Sequence, residues 1–290
     1  MALTTAALWG STAVAVKFAE DAVPPIAVAA IRFALAALFM IAWWPVARSP
    51  LTVSLKQFPW TLLAGAMLFV QITLFNWAIH LSNASYSVVL ISTFVFWVAL
   101  IEHFVTRNER LNARKVLGVA ISGVGVVIIL TCMPDLPDKS KLEFDAPTVQ
   151  GNLLMLASAF VLAIKTVYTK HAVRTIHPNA FIFWHHTTGT AFFVVASLLI
   201  EPVQSISAND FSMPVVLGLL YQGIVVGGIC FAVQAGLLKR HGATQISVFA
   251  FATPLFGVSS AAWIRGDQIT LPFILSGLVI AFGIYLVNRR

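Results

Sequence analysis

The chain has 290 residues, of which 59% are hydrophobic and only 10% charged. Its mean hydropathy is +0.89 and its formal net charge +7. A soluble domain carries about 25% charged residues, so the composition excludes a water-soluble enzyme and points to a chain that lives in lipid.

A helix that crosses a bilayer needs about 20 mostly apolar residues. On that measure the sequence predicts ten spans, at 3–20, 25–47, 58–80, 83–106, 112–133, 147–174, 178–200, 212–240, 243–265 and 270–288. The first follows Met1 with no basic segment and no A-x-A cleavage site, and it reads as a retained helix rather than a signal peptide. The joints at Pro24-Pro25, Ser49-Pro50, Leu81-Ser82-Asn83 and His241-Gly242 are short and carry turn chemistry, so neighbouring spans run antiparallel. The one long joint, PDLPDKSKLEFDAP from Pro134 to Pro147, is polar and divides residues 1–133 from 147–290, with 134–146 as an extracytoplasmic linker.

Orientation follows from the 18 Lys and Arg residues. With both termini cytoplasmic, Arg48, Lys56, Arg107, Arg110, Arg114, Lys115, Lys170, Arg174, Lys239, Arg240, Arg289 and Arg290 all fall inside. Only Lys17, Lys139, Lys141 and Arg265 fall outside, while Arg32 and Lys165 lie within spans, as the positive-inside rule favours. A basic face for anionic lipid headgroups explains the sequence pI near 9.7, and no nucleic acid is needed.

The chain also repeats itself. NERLNARKVLGVAISGVGVVIIL, from Asn108, is echoed by RGDQITLPFILSGLVIAFGIYLV, from Arg265. Pro25 and Arg32 recur as Pro178 and His185 at a spacing of 153, and Ala84-Ser85 as Ala243-Thr244 at 159. Five spans per copy is an odd number, so the second copy enters the membrane from the opposite side. Inverted repeats that rock about a shared midplane site are a transporter device.

Two stretches, LWGSTAVAVKFAED…PPIAVAAIRFALAAL and NASYSVVLIS…NERLNARKVLGVAISGVGV, resemble the EamA-type repeats of the drug/metabolite transporter (DMT) superfamily. They share the tryptophan-glycine start, the arginine of the second helix and the E-R-L…G opening of the fifth. Within that group the chain is most similar to the YddG-type aromatic amino acid exporters. The resemblance implies an all-α integral membrane protein in which helices 1–4 and 6–9 surround a central cavity while 5 and 10 lie outside it. It implies export of amino acids, aromatic and hydrophobic, and of related small amphipathic metabolites, by alternating access from the bacterial inner membrane. Pro254 of FATPLFG has no proline counterpart in the first half, where Val95 stands in STFVFW.

Ionisable residues inside a membrane are functional candidates by default. All eleven carboxylates fall in loops or at helix ends, which predicts facilitated movement rather than carboxylate-coupled antiport, with a histidine, whose reference pKa is near 6.5, as the alternative route for coupling protons. Lys165 either snorkels or faces the cavity and attracts a substrate carboxylate. Arg32 either snorkels, pairs with Asp21 or Glu20, or acts in gating. His185-His186 has no Cys, Asp or Glu at ligand spacing, so a metal is not expected, and nothing calls for a cofactor. The remaining cavity candidates are Trp9, Gln71, Asn76, His80, Tyr86, Ser92, Tyr168, Trp184, Tyr221, Gln222 and Gln234, each of which could instead only hold helices together. Trp77, Trp97 and Trp263 read as an interfacial belt.

Glycines read as packing positions, with Gly227 also a gating candidate. Gly223-xxx-Gly227 and Gly228-xxx-Ala232-xxx-Gly236 flank the eighth span, and Gly118, Gly123, Gly125, Gly277 and Gly283 serve the fifth and tenth, or a dimer face. The expected assembly is a monomer or weak dimer. Cys132 and Cys230 sit in apolar runs without metal or disulfide spacing and read as packing residues. An intramembrane enzyme would need a nucleophile, a metal triad or a carboxylate pair at depth, and none is present. The alternative within transport is a phosphate-ester, nucleotide-sugar or drug exchanger of the same superfamily; for the phosphate esters several converging cations would be needed, and only Lys165 and Arg32 are available. A lipid-scrambling bundle would not need the polar midplane residues.

Overall fold

The computed structural model describes residues 1–12, 15–16, 19, 22–81, 90–131, 149–202, 211–256 and 271–289. Tyr86, Ser85, Cys132, Trp263, Lys17, Glu20, Asp21, Asp267 and the linker 134–146 lie outside the described residues, as does the side chain of His80. The described residues contain no strand and form ten helical segments. These are α1 (Ala2–Gly10), α2 (Pro25–Ala47), α3 (Phe58–Leu81), α4 (Leu90–Val105), α5 (Ala113–Thr131), α6 (Val149–Ala172), α7 (Pro178–Ile200), α8 (Met213–Arg240), α9 (Ala243–Phe256) and α10 (Leu271–Asn288). Among them α2, α3, α6, α7 and α8 are long and apolar enough to cross a membrane, and the described parts of α4, α9 and α10 are shorter apolar helices. Their outward faces are oily, with Val195, Leu198, Leu199, Leu278 and Phe282 more than half exposed. In water such a surface would aggregate; against acyl chains it is at home.

Helix pairing reveals the symmetry. α2 packs on α7, α4 on α9 and α5 on α10; α3 packs on α6 as α8 packs on α1; α2 packs on α8 as α7 packs on α3; α4 touches α6 as α9 touches α1. Exchanging each helix for the one five places along maps this pattern onto itself, which requires a pseudo-two-fold axis through the α2–α7, α4–α9 and α5–α10 contacts. Five helices per copy make the two copies inverted, so the fold is two inverted five-helix repeats.

α5 and α10 settle one open choice from the sequence. A Cβ on Gly118 would lie 2.7 Å from the Gly283 carbonyl oxygen, one on Gly283 would lie 2.5 Å from the Gly118 oxygen, and one on Gly125 would lie 2.6 Å from Ile280. The glycine faces are consumed inside the chain, not offered to a second copy. Gly236 differs from expectation, since a Cβ there meets nothing within 4 Å and the residue is no packing position. Replacing Gly283 by Leu should force the two helices apart at a loss of about 1–3 kcal/mol, the usual range for overpacking. Thermal unfolding in detergent checks this, with Gly236→Leu as the control that should change little.

One end of the bundle gathers the α2–α3, α4–α5, α6–α7 and α8–α9 joints. Asn179 Nδ2 donates to Ser49 Oγ at 2.6 Å, Gln57 Nε2 to the Thr175 carbonyl at 3.0 Å, and Arg114 to the Arg289 carbonyl at 3.4 Å. Lys170 Nζ lies 2.9 Å from both Glu102 Oε2 and Glu109 Oε1, and Lys115 lies 3.6 Å from Glu109. Glu109 also rests on Gly242, where any Cβ would strike its carboxylate. Glu102 is at a helix end as the sequence implied, yet it is fully buried. At the opposite end Glu201 caps α2, accepting from the backbone N–H of Ile26 at 2.7 Å and Ala27 at 2.9 Å. A carboxylate there satisfies orphan amides and the positive end of the helix dipole.

His177 does the same for α7 with a neutral ring, its Nδ1 accepting from the Asn179 N–H at 3.3 Å. Partial burial, and then the charge of Lys239, hold its pKa below the ordinary 6.5. A folded-state value below the unfolded one means the unfolded chain binds more protons, so this contribution is present above about pH 6.5 and lost as pH falls below it. The protection of the Asn179 amide against exchange, relative to its intrinsic rate at each pH, should fall between pH 7.5 and 5.5. His177→Asn, which caps without titrating, should remove that dependence.

Candidate substrate site

α2 and α7 each begin at a proline, which suits the first turn because its missing N–H is orphaned there anyway. Seven residues on, these helices present Arg32 and His185, and one further on Phe33 and His186. The repeat therefore brings equivalent positions face to face across the pseudo-axis. The rings of Phe33 and His186 stack with centroids 5.3 Å apart and planes 25° apart. Arg32 Cζ sits 5.1 Å from the Phe33 centroid.

α8 and α6 complete the cluster. Residues Tyr221–Cys230 of α8 are π-helical, a wide turn characteristic of functional segments. Gly223 and Gly227 let this stretch approach α2 closely, a Cβ on Gly227 falling 2.8 Å from that of Ala36. His186 Nε2 lies 2.9 Å from the Gly227 carbonyl oxygen, and since a carbonyl only accepts, that nitrogen carries the proton. Phe231 is the hub. Its centroid lies 5.2 Å from His186, 6.1 Å from His185, 6.3 Å from Phe33 and 6.0 Å from Trp9, and Lys165 Nζ lies 5.5 Å above it.

Lys165 does not snorkel. It is 4% exposed and donates to Gln71 Oε1 at 2.9 Å. Gln71 Nε2 in turn donates to Ser158 Oγ at 3.2 Å, and Ser158 donates to the Gln71 carbonyl at 2.9 Å. Arg32 is 6% exposed, and its Nε has no hydrogen-bond partner. Both ring nitrogens of His185, Nδ1 of His186, Oγ1 of Thr190 and both amide atoms of Gln222 are likewise buried and unpartnered. The described carboxylates are engaged elsewhere, Glu102 and Glu109 with Lys170 and Glu201 with α2. The cluster thus holds two cations and orphaned polar atoms beside aromatic rings, and none of the described carboxylates lies in it. Buried charge without a partner is strongly unfavourable, which makes this cluster the candidate ligand site. No group of three metal-ligating side chains exists among the described residues.

Other predicted site residues have different partners. Trp184 Nε1 donates to the Leu51 carbonyl, Tyr168 OH to that of Trp60, Asn76 Nδ2 to that of Pro25 and Tyr221 OH to that of Leu8, at 2.7–3.0 Å. These side chains join helix to helix or helix to loop. Trp9 and Gln234 line a separate crevice of about 10 Å³, room for one water at most, between α1, α4, α8 and α9. Ser92 is buried on α4. Pro254 follows a 3₁₀ stretch, Val248–Ala252; its missing N–H cannot continue an α-helical ladder, so it shapes α9 rather than a binding surface. Sequence reasoning missed Phe33 and Phe231. Phe33 had a signal, because it stands to Arg32 as His186 stands to His185, while Phe231 had none.

Known proteins give the same picture of the chain as a whole. Over 96% of its length it is 25% identical to the "Uncharacterized transporter YoaV" of Bacillus subtilis, covering 92% of that protein. Over 99% it is 24% identical to proteins of Salmonella typhimurium and Escherichia coli, each described as a "Probable amino-acid metabolite efflux pump", covering 93% of each. A solved crystal structure superposes with a TM-score of 0.77 at 18% identity, covering 99% of this chain and 96% of that one, which supports the fold alone. The model of the EamA-like transporter family matches residues 1–131 and again 149–289. With the duplicated helical fold and its buried midbundle cluster, this places the chain in the EamA-like transporter family, a multi-pass membrane transporter of the drug/metabolite superfamily and not an enzyme.

Proposed function

We propose that the protein exports amino acids, chiefly aromatic and hydrophobic ones, and related small amphipathic metabolites, by alternating access about the Arg32–Lys165–His185–His186 cluster. The observation that carries this reading is the pairing of two buried cations, free of described carboxylates, with the rings of Phe33, Phe231 and the two histidines. Cations suit a carboxylate and aromatic walls suit an apolar side chain. The description of the Salmonella and Escherichia relatives as probable amino-acid metabolite efflux pumps supports an amino-acid-related substrate. The end that gathers Lys170, Arg114 and Lys239 faces the cytoplasm by the positive-inside rule, with both termini there, in a bacterial inner membrane. Residues 1–133 and 147–290 rock against each other across the 134–146 linker. With no described carboxylate in the site, movement is facilitated and follows the substrate gradient.

Counterflow in proteoliposomes tests the reading. Liposomes loaded with unlabelled amino acids should accumulate labelled phenylalanine or leucine with the pH gradient collapsed. Exchange that appears only under an imposed pH gradient would keep the substrate and discard the uncoupled mechanism. Exchange of phosphate esters in preference to any amino acid would replace the substrate class.

A further inference from the structure

The same cluster discriminates between charge states of its substrate, a point that rests on the transport role just proposed. A free amino acid brings an ammonium group along with its carboxylate, and a buried ammonium needs an anion or several acceptors around it. The described site offers no anion, and several of its acceptors are already engaged. Gly227 O is engaged by His186, Gln71 Oε1 by Lys165, and Ser158 Oγ by both groups of Gln71. The unpartnered acceptors, Gln222 Oε1, Thr190 Oγ1, His186 Nδ1 and one ring nitrogen of His185, are all neutral, and none is the anion an ammonium needs beside two cations. Glu102, Glu109 and Glu201 are committed at the two ends of the bundle. Arg32 and Lys165 would repel an ammonium held in the same cluster.

Unpartnered donors stand among the same groups. Arg32 Nε–H, one ring N–H of His185 and the Gln222 amide NH₂ have no acceptor. They suit a carboxylate together with one more neutral oxygen near it. We infer that, within the proposed substrate class, the site prefers a net anion to the free zwitterion: an aromatic or aliphatic monocarboxylate with a neighbouring carbonyl, its amino group absent or acylated. N-acylated amino acids and 2-oxo acids have this chemistry.

Net uptake of four labelled probes of one shape decides the matter: N-acetylphenylalanine, phenylpyruvate, phenylalanine and phenylalaninamide, each measured against protein-free liposomes. The two anions should enter at least tenfold faster than phenylalanine, and the amide not at all. An inside-positive potassium diffusion potential should accelerate the anions and leave phenylalanine unchanged, because only the anions carry net charge inward. Arg32→Lys should retain the preference and Arg32→Gln lose it. Phenylalanine entering as fast as the anions or faster would overturn the inference while leaving amino-acid transport standing. No saturable flux of any probe would remove both, and a preference that survives Arg32→Gln would move the site elsewhere.

Discussion

Lys170→Met will destabilise the folded protein by about 3–5 kcal/mol, the usual result of removing one partner from a buried ion pair. Glu102 is fully buried on the π-helical turn Ile101–Val105, and Lys170 Nζ, 2.9 Å away, is the cation that compensates it. Glu109 shares that ammonium at 2.9 Å and keeps a second, longer contact with Lys115 at 3.6 Å. Glu109 therefore has a fallback and Glu102 has none among the described residues. The loss should show as a lower unfolding midpoint in detergent, and Lys170→Met combined with Glu102→Gln should recover most of it. If the double variant is no more stable than the single, uncompensated charge is not the cause and Lys170 acts through packing alone.

Lys165→Met will do the reverse, lowering transport while leaving stability unchanged or higher. Its ammonium is buried on one side-chain carbonyl and an aromatic face, with no described carboxylate nearby, so an apolar side chain of similar length relieves a desolvation cost. A charge-assisted hydrogen bond to a substrate carboxylate contributes about 1.5–3 kcal/mol. Its loss corresponds to roughly 10- to 100-fold weaker transport, chiefly as a raised KM. Proteoliposome uptake and thermal unfolding on the same preparation give both readings. Undiminished uptake would remove Lys165 from the site, and a large drop in stability would make it a structural residue. The opposed signs at Lys165 and Lys170, two lysines five residues apart on α6, separate a cation held for a ligand from one held for the fold.

Much of the architecture was legible because lipid imposes simple rules. The apolar runs located α2, α3, α6, α7 and α8 to within a few residues, since a spanning helix must be about 20 residues long and must satisfy its own backbone. The inverted duplication was legible from the 153-residue spacing of Pro25/Arg32 and Pro178/His185 and from the parity of five. The candidate site was legible only in part. Buried ionisable residues announce themselves by rarity, and Arg32, Lys165, His185 and His186 do form one cluster. Uncharged polar residues do not, because a hydrogen bond to a neighbouring backbone and one to a ligand need the same side chain. Trp184, Tyr168, Asn76 and Tyr221 each donate to a backbone carbonyl on another helix or loop.

The sequence by itself determined that this is a helical membrane protein, duplicated and inverted, with few charges at depth. Hydropathy, parity and spacing are properties of the chain alone, so no contact needed to be known. Tertiary structure alone decided which of those charges have partners. Whether Lys165 snorkels or turns inward depends on Gln71, 94 residues away, and whether Glu102 is a surface end or a buried counter-ion depends on Lys170. It also decided that the Gly118 and Gly283 faces meet each other and not a second copy. Pairings between distant helices are set by packing across the pseudo-axis, which no local pattern in either repeat records.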